Sequence, residues 1–224
     1  MAPNTNGKKR RILIVDDHPL VREWLTNLIN QQPDLAVCGE AATAAEAIQA
    51  VAALKPEIAI VDISLRDSSG IELIKDLKRI CPSLVVLVLS MHDESIYAER
   101  TLLAGANGYI MKREAAKKVS EAIRCVAEGR YYLSDAIAQT ILTQFVQGRT
   151  QAPRSIVELL SDRELAVFDL LGEGQGTRQI SEKLRVSIKT VQAYCARIKV
   201  KLNLDSGKDL LREAVRHKTT KGTE

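Results

Sequence analysis

The chain has little that would brace it covalently or carry it through a membrane. Its four cysteines (Cys38, Cys81, Cys125, Cys195) lie far apart, with no CxxC pair and no neighbouring histidine cluster. That argues against a disulfide scaffold or zinc site and fits a reducing cytoplasm, where most would be small core residues. No apolar run approaches the roughly 18–20 residues of a bilayer-spanning helix. Residues 1–10, ending in Lys8, Lys9 and Arg10, are expected to be a disordered basic lead-in and not a leader peptide. There are no repeats and no low-complexity tract. The glycine-rich piece at 172–176 lacks the following Lys-Ser/Thr of a phosphate loop.

What is present suits one or two ordinary globular domains: 224 residues, 46% hydrophobic and 27% charged. The net charge of +4 is unevenly placed. Residues 1–150 carry 18 basic and 18 acidic side chains, residues 151–224 carry 14 and 10. Without the basic stretch at 8–11 the first part is acidic, at −4. An acidic half that handles metal or anions and a basic half that binds a polyanion are the natural reading.

Four short apolar runs each stop at a group that can handle phosphate. Arg11-Ile-Leu-Ile-Val15 stops at Asp16-Asp17, Glu57-Ile-Ala-Ile-Val61 at Asp62, Leu84-Val-Val-Leu-Val-Leu89 at Ser90, and Gly108-Tyr-Ile-Met111 at Lys112. Such β-branched runs read as parallel strands buried on both faces, here near 11–16, 35–40, 57–62, 84–90 and 107–111. Helical stretches near 19–31, 43–54, 70–80, 94–104 and 115–128 alternate with them, which predicts an α/β doubly wound sheet. All carboxyl ends then point to one edge, where ligands bind. Asp16, Asp17 and Asp62 crowded there would repel one another unless a cation intervened. All-oxygen ligation favours Mg²⁺, Lys112 can meet a phosphoryl oxygen, and a carboxylate can itself be the nucleophile. A lone Asp at a strand end is more often a cap; it is the set that speaks. His18 and His92 have no partners at ligand spacing and read as ordinary surface or loop residues.

Asp16-Asp17, Asp62, Ser90, Tyr109 and Lys112, in this order on these strands, resemble a two-component response-regulator receiver domain over residues 11–130. The resemblance implies that Asp62 is the phosphoacceptor and that Asp16, Asp17, Asp62 and the backbone carbonyl of Ser64 hold Mg²⁺. It implies that Ser90 and Tyr109 form a switch pair, with Lys112 at the phosphoryl group. Arg66 departs from the usual proline.

Residues 131–156 are expected to be a linker with a helix over 132–145 and a flexible piece at 148–153. Beyond it the pattern is all helix. Ser161-Asp-Arg-Glu164 is a capping box, Leu160 and Leu165 form a hydrophobic staple, and Thr177 caps a short helix ending near Leu184. A turn at 185–187 leads into a longer helix over 188–202, and a fourth runs from Ser206 to about His217, leaving 219–224 as a tail. A short turn between two helices predicts a helix-turn-helix. From Lys183 to Leu204 there are six basic residues and no acidic one, a face suited to DNA phosphates although common on solvated helices.

Leu160-Ser-Asp-Arg-Glu-Leu165, Ile180-Ser-Glu-Lys-Leu184 and Lys189-Thr-Val-Gln-Ala-Tyr194 are similar to the LuxR-type four-helix DNA-binding domain over 157–218. With the receiver, the chain resembles a NarL/FixJ-type regulator. The resemblance implies that Gln192, Ala193 and Ala196 face base edges, while Lys189, Arg197 and Lys201 hold phosphates and Thr190 completes the contacts. Tyr194 stands where His is usual, and Arg185 replaces a turn glycine. It further implies a sensor histidine kinase as phosphodonor, double-stranded DNA as target, a homodimer on phosphorylation, no membrane and a cytoplasmic location. Two competitors are an Asp-nucleophile phosphatase and a receiver whose tail binds protein. The phosphatase needs a second Asp two residues after the nucleophile, where this chain has Ser64.

Overall fold

A computed structural model describes residues 9–65, 69–114, 116–146 and 156–221, and the chain divides into two compact units, Met1–Gly148 and Arg149–Glu224. In the first unit, strands β1 (Arg10–Val15), β2 (Leu35–Ala41), β3 (Ile58–Val61), β4 (Val85–Ser90) and β5 (Gly108–Met111) form one sheet in the order β2-β1-β3-β4-β5. Every pairing is parallel. The helices between them are α1 (Pro19–Asn30), α2 (Ala44–Leu54), α3 (Gly70–Ile80), α4 (Glu94–Leu103) and α5 (Ala116–Ala127). The expected doubly wound sheet is thus present. Ile12, Leu13, Ile14, Val15 and Ile58–Val61 are all buried, so the central strands β1 and β3 have apolar residues on both faces for the helices to cover. The sheet order reverses between β1 and β3, and that crevice lies between the strands that end in Asp16-Asp17 and Asp62.

After α5 the chain comes back to the sheet. Tyr132 bridges Gly108, and its carbonyl accepts the Tyr109 N–H at 2.9 Å. Helix α6 therefore begins at Asp135, not near 132, and runs to Val146. The Glu94 carboxylate accepts the Ser134 N–H at 2.9 Å, which ties the start of α6 to α4 within this unit. The expected flexible piece at 148–153 and Arg66 lie outside the described residues.

The second unit is helical: α7 (Ile156–Leu159), α8 (Asp162–Gly172), α9 (Thr177–Leu184), α10 (Ile188–Lys201) and α11 (Gly207–Lys221). Leu165, Phe168, Ile180, Val191, Ile198, Leu210 and Ala214 make its core. Glu164 Oε2 accepts the Ser161 N–H at 2.8 Å, as a capping box requires. The cap of α9 is a correction: Gly176 precedes the helix and Gln179 accepts its N–H at 2.9 Å, while Thr177 is already helical. Helix α11 also runs past His217 to Lys221. Arg185, between α9 and α10, has φ 52°, the left-handed conformation that only glycine adopts freely.

Candidate functional site

Three strand ends converge in the first unit. Lys112 Nζ, one residue past β5, lies 2.6 Å from Asp16 Oδ2 and 2.7 Å from Asp62 Oδ2, with all three side chains at most 8% exposed. The register holds it there: its N–H donates to the Ser90 carbonyl at 2.7 Å, continuing the β4–β5 ladder beyond the last strand residue. On the other side, the His18 N–H donates to Asp16 Oδ1 at 2.8 Å and Arg22 to the Asp16 carbonyl at 2.6 Å. Helix α3 begins against the backbone of Asp62, where a Cβ on Gly70 would overlap the Asp62 carbonyl oxygen. A glycine opening an amphipathic helix directly after Ser69 is the sequence signal for this close approach.

One ammonium cannot satisfy three buried carboxylates. Burial would lower the Lys112 pKa, but Asp62 and Asp16 outweigh it and hold the lysine charged. For Asp62, burial dominates and lifts the carboxyl above its ordinary value despite Lys112. Asp62 Oδ1 is buried and has no hydrogen-bond partner among the described residues. An uncompensated buried oxygen beside two further aspartates is where a divalent cation or an electrophile would be stabilised. Asp16, Asp17, His18 and Asp62 each offer a ligand atom within 4.8 Å of the others, so the donor set fits a divalent cation.

The two remaining pocket residues meet at the backbone of one residue, His92, from either side of its Cα. Ser90 Oγ accepts the His92 N–H at 3.2 Å, and the wholly buried Tyr109 donates its hydroxyl proton to the His92 carbonyl at 2.9 Å. Burial holds the Tyr109 phenol far above its ordinary pKa. The His92 ring lies 2.6 Å from Ser64 Oγ and packs on Tyr97, which joins the loop after β3 to the loop after β4. His18 lies 2.9 Å from Asp17 and 3.1 Å from Asp16 through Nδ1. Both histidines therefore belong to the pocket, contrary to their reading as ordinary loop residues. Their partners are distant in sequence or set by a turn, which spacing alone does not reveal.

In the second unit Lys189, Gln192, Ala193, Ala196 and Arg197 are all exposed along α10. Their steps of three and four residues put them on one face. Val191 and Ile198 are buried and anchor the opposite face. Thr190 is partly withdrawn, because Ser187 Oγ accepts its N–H at 3.1 Å and contacts its hydroxyl at 2.8 Å. Lys201, expected at a DNA phosphate, is exposed, and its Nζ lies 2.5 Å from Glu164 Oε2. Burial alone would raise the Glu164 pKa, but Lys201 and Ser161 bring it below the ordinary value. Lys201 thus neutralises the capping-box carboxylate. Arg197 lies over the Tyr194 ring, 5.9 Å from its centre.

Comparison with known proteins covers both units. Residues 12–124 match the response regulator receiver domain, and residues 158–214 match the bacterial regulatory proteins of the luxR family. The oxygen regulatory protein NreC of Staphylococcus epidermidis is 34% identical over 213 residues, spanning 93% of this chain and 98% of NreC. A LuxR-family two-component response regulator from Aurantimonas is 35% identical, with a TM-score of 0.57 over 62% of this chain and 99% of that one. RcsB from Salmonella enterica serovar Typhimurium, solved bound to promoter rprA with the phosphomimetic BeF3−, is 25% identical. It has a TM-score of 0.60 over 92% of this chain and 98% of that one. Among the described residues, no helix is long and apolar enough to cross a membrane.

Proposed function

We propose a function from one premise: the chain belongs to the NarL/FixJ family of response regulators, which join a receiver domain to a LuxR-type DNA-binding domain. It is a DNA-binding transcriptional regulator, not an enzyme. In our reading Asp62 is the phosphoacceptor. The observation that carries this is Asp62 Oδ1, buried and unpartnered while its sister oxygen is held by Lys112. That oxygen attacks phosphorus as the N–P bond of a sensor kinase's phosphohistidine breaks, and the released imidazole takes up a proton. Asp16, Asp17, Asp62 and the Ser64 carbonyl would hold Mg²⁺, which when bound offsets the charge growing on the transferred group. Lys112 loses part of its hold on Asp62 and meets a phosphoryl oxygen.

Ser90 and Tyr109 read out the change. Both already bond to the backbone of His92, Ser90 at its N–H and Tyr109 at its carbonyl, so a Ser90 hydroxyl drawn to the phosphoryl group frees one side of the residue that anchors the Tyr109 ring. The output is DNA binding by α10, with Gln192, Ala193 and Ala196 at base edges and Lys189 and Arg197 at phosphates. RcsB bound to promoter DNA supports this assignment, and the structure of two RcsB dimers bound to two parallel DNAs supports a homodimer as the binding form. A cytoplasmic location follows from a histidine-kinase donor and a DNA target.

Gel shifts on genomic DNA fragments, with and without phosphodonor and Mg²⁺, test the whole reading. Phosphodonor should add one acid-labile phosphate and tighten a shift that salt weakens. Labelling that persists in Asp62→Asn, or a shift indifferent to salt, would sink the corresponding half. Turnover of phosphate without any DNA shift would favour the phosphatase competitor.

A further inference from the structure

We propose that His18 is a further ligand of the cation held in the acidic pocket, favouring softer first-row ions such as Co²⁺ over Mg²⁺. The inference rests on reading Asp16, Asp17 and Asp62 as a cation site. His18 Nδ1 sits 2.9 Å from Asp17 Oδ1 and 3.1 Å from Asp16 Oδ1. Neighbouring ligands on an octahedral ion with bonds of about 2.1 Å are about 3.0 Å apart, so both spacings match those of adjacent ligands. The imidazole is not spent elsewhere as a cap: His18 is the N-cap residue of α1, yet its side chain makes no capping hydrogen bond. A second observation points to a cation independently, the unpartnered Asp62 Oδ1 in the same cluster.

The chemistry of the donor set gives the consequence. Carboxylate, carbonyl and water oxygens alone suit Mg²⁺ and Mn²⁺, whereas an imidazole nitrogen adds affinity for softer first-row ions such as Co²⁺. The three aspartates are nearly inaccessible, but the His18 side chain is 58% exposed. It can turn on its Cα–Cβ bond and close over an entering ion without disturbing the sheet. Ligation through Nδ1 requires the tautomer protonated on Nε2, so the contact that serves as a hydrogen bond to the aspartates is exchanged for a metal bond.

Pulsed EPR on the full chain loaded with Mn²⁺ is the direct test. The expected result is nitrogen modulation from a ligating imidazole that changes when the protein carries ¹⁵N-histidine and vanishes in His18→Gln. In parallel titrations, His18→Gln should lose about tenfold in Co²⁺ affinity. Its Mg²⁺ affinity should stay within about twofold. Mn²⁺ bound with proton modulation only, or Co²⁺ and Mg²⁺ affinities falling alike, would overturn the proposal and leave the cation site intact. Wild-type protein that binds no Mn²⁺ would sink the cation site and this proposal together. The ¹⁵N labelling reads the ligand in wild-type protein, so the test stands even where the variant folds poorly.

Discussion

The carboxylates of the first unit are buried around a single ammonium, whereas the basic groups along α10 stand in water, held only by the helix that carries them. Buried charges at contact distance interact strongly, and each depends on its neighbours, so removing one changes the whole pocket. Exposed charges act on a polyanion from separate positions, so their effects are graded, nearly additive and screened by salt. The pocket suits an all-or-none input and the helix face an adjustable output. Lys201 straddles that division: it is exposed on α10, yet paired with the nearly buried Glu164.

The contrast can be broken at four points. Asp62→Asn should cut phosphoryl incorporation at least about 100-fold by intact mass, the largest effect. It should also raise the stability of the first unit, by roughly 2–4 °C in a melt followed through Trp24, the only tryptophan, which lies on α1. The sign follows from the raised carboxyl pKa. The wild-type loses stability as pH rises through the folded-state pKa, so the gain is full above it and gone below the ordinary aspartate value near 3.8. A gain that does not vary with pH would show that charge burial is not its cause.

Lys201→Ala should cost the second unit about 2 kcal/mol at neutral pH by leaving Glu164 buried without its counter-charge. Circular dichroism reads this loss while the Trp24 transition stays in place. Because the Glu164 pKa is depressed, the stabilisation is present above its ordinary value and fades as pH falls through the folded one. The variant's deficit should therefore close in acid. A flattened salt dependence of DNA binding with normal stability would return Lys201 to the phosphate contacts. Lys189→Ala and Arg197→Ala should each cost about 1 kcal/mol of affinity on any DNA sequence and reduce the log–log salt slope by about one. The smallest effect is at Arg185, where glycine relieves the left-handed backbone but adds unfolded-chain entropy. Arg185→Gly should stabilise the second unit by about 0.5 kcal/mol in denaturant melts, and a loss of stability would show that the arginine side chain contributes there.

The strands were legible because burial on both faces leaves continuous β-branched runs, and each run ended on the group it delivers to the sheet edge. The helix-turn-helix was legible through the short turn at 185–187 between α9 and α10, and the start of α8 through the capping pair Ser161 and Glu164. Caps without a side-chain oxygen were not: Gly176 was passed over for Thr177 because hydroxyls are the familiar signal. Tyr132 was read into a helix because nothing local marks a residue that pairs with an edge strand. The contacts of His92 and Lys201 are hidden for the same reason, since their partners Ser64 and Glu164 are 28 and 37 residues away.

By itself the sequence determined the two-part architecture, the strand ends and the chemical groups brought to the site, because hydrophobic period and charge are local properties. Tertiary structure alone decided how those groups divide the work. Only the β2-β1-β3-β4-β5 order sets Lys112 between Asp16 and Asp62 and leaves Asp62 Oδ1 without a partner. Only helix packing brings Lys201 on α10 to Glu164 on α8. The strength of a charge depends on its depth and its neighbours, and neither is written at the residue's own position in the chain.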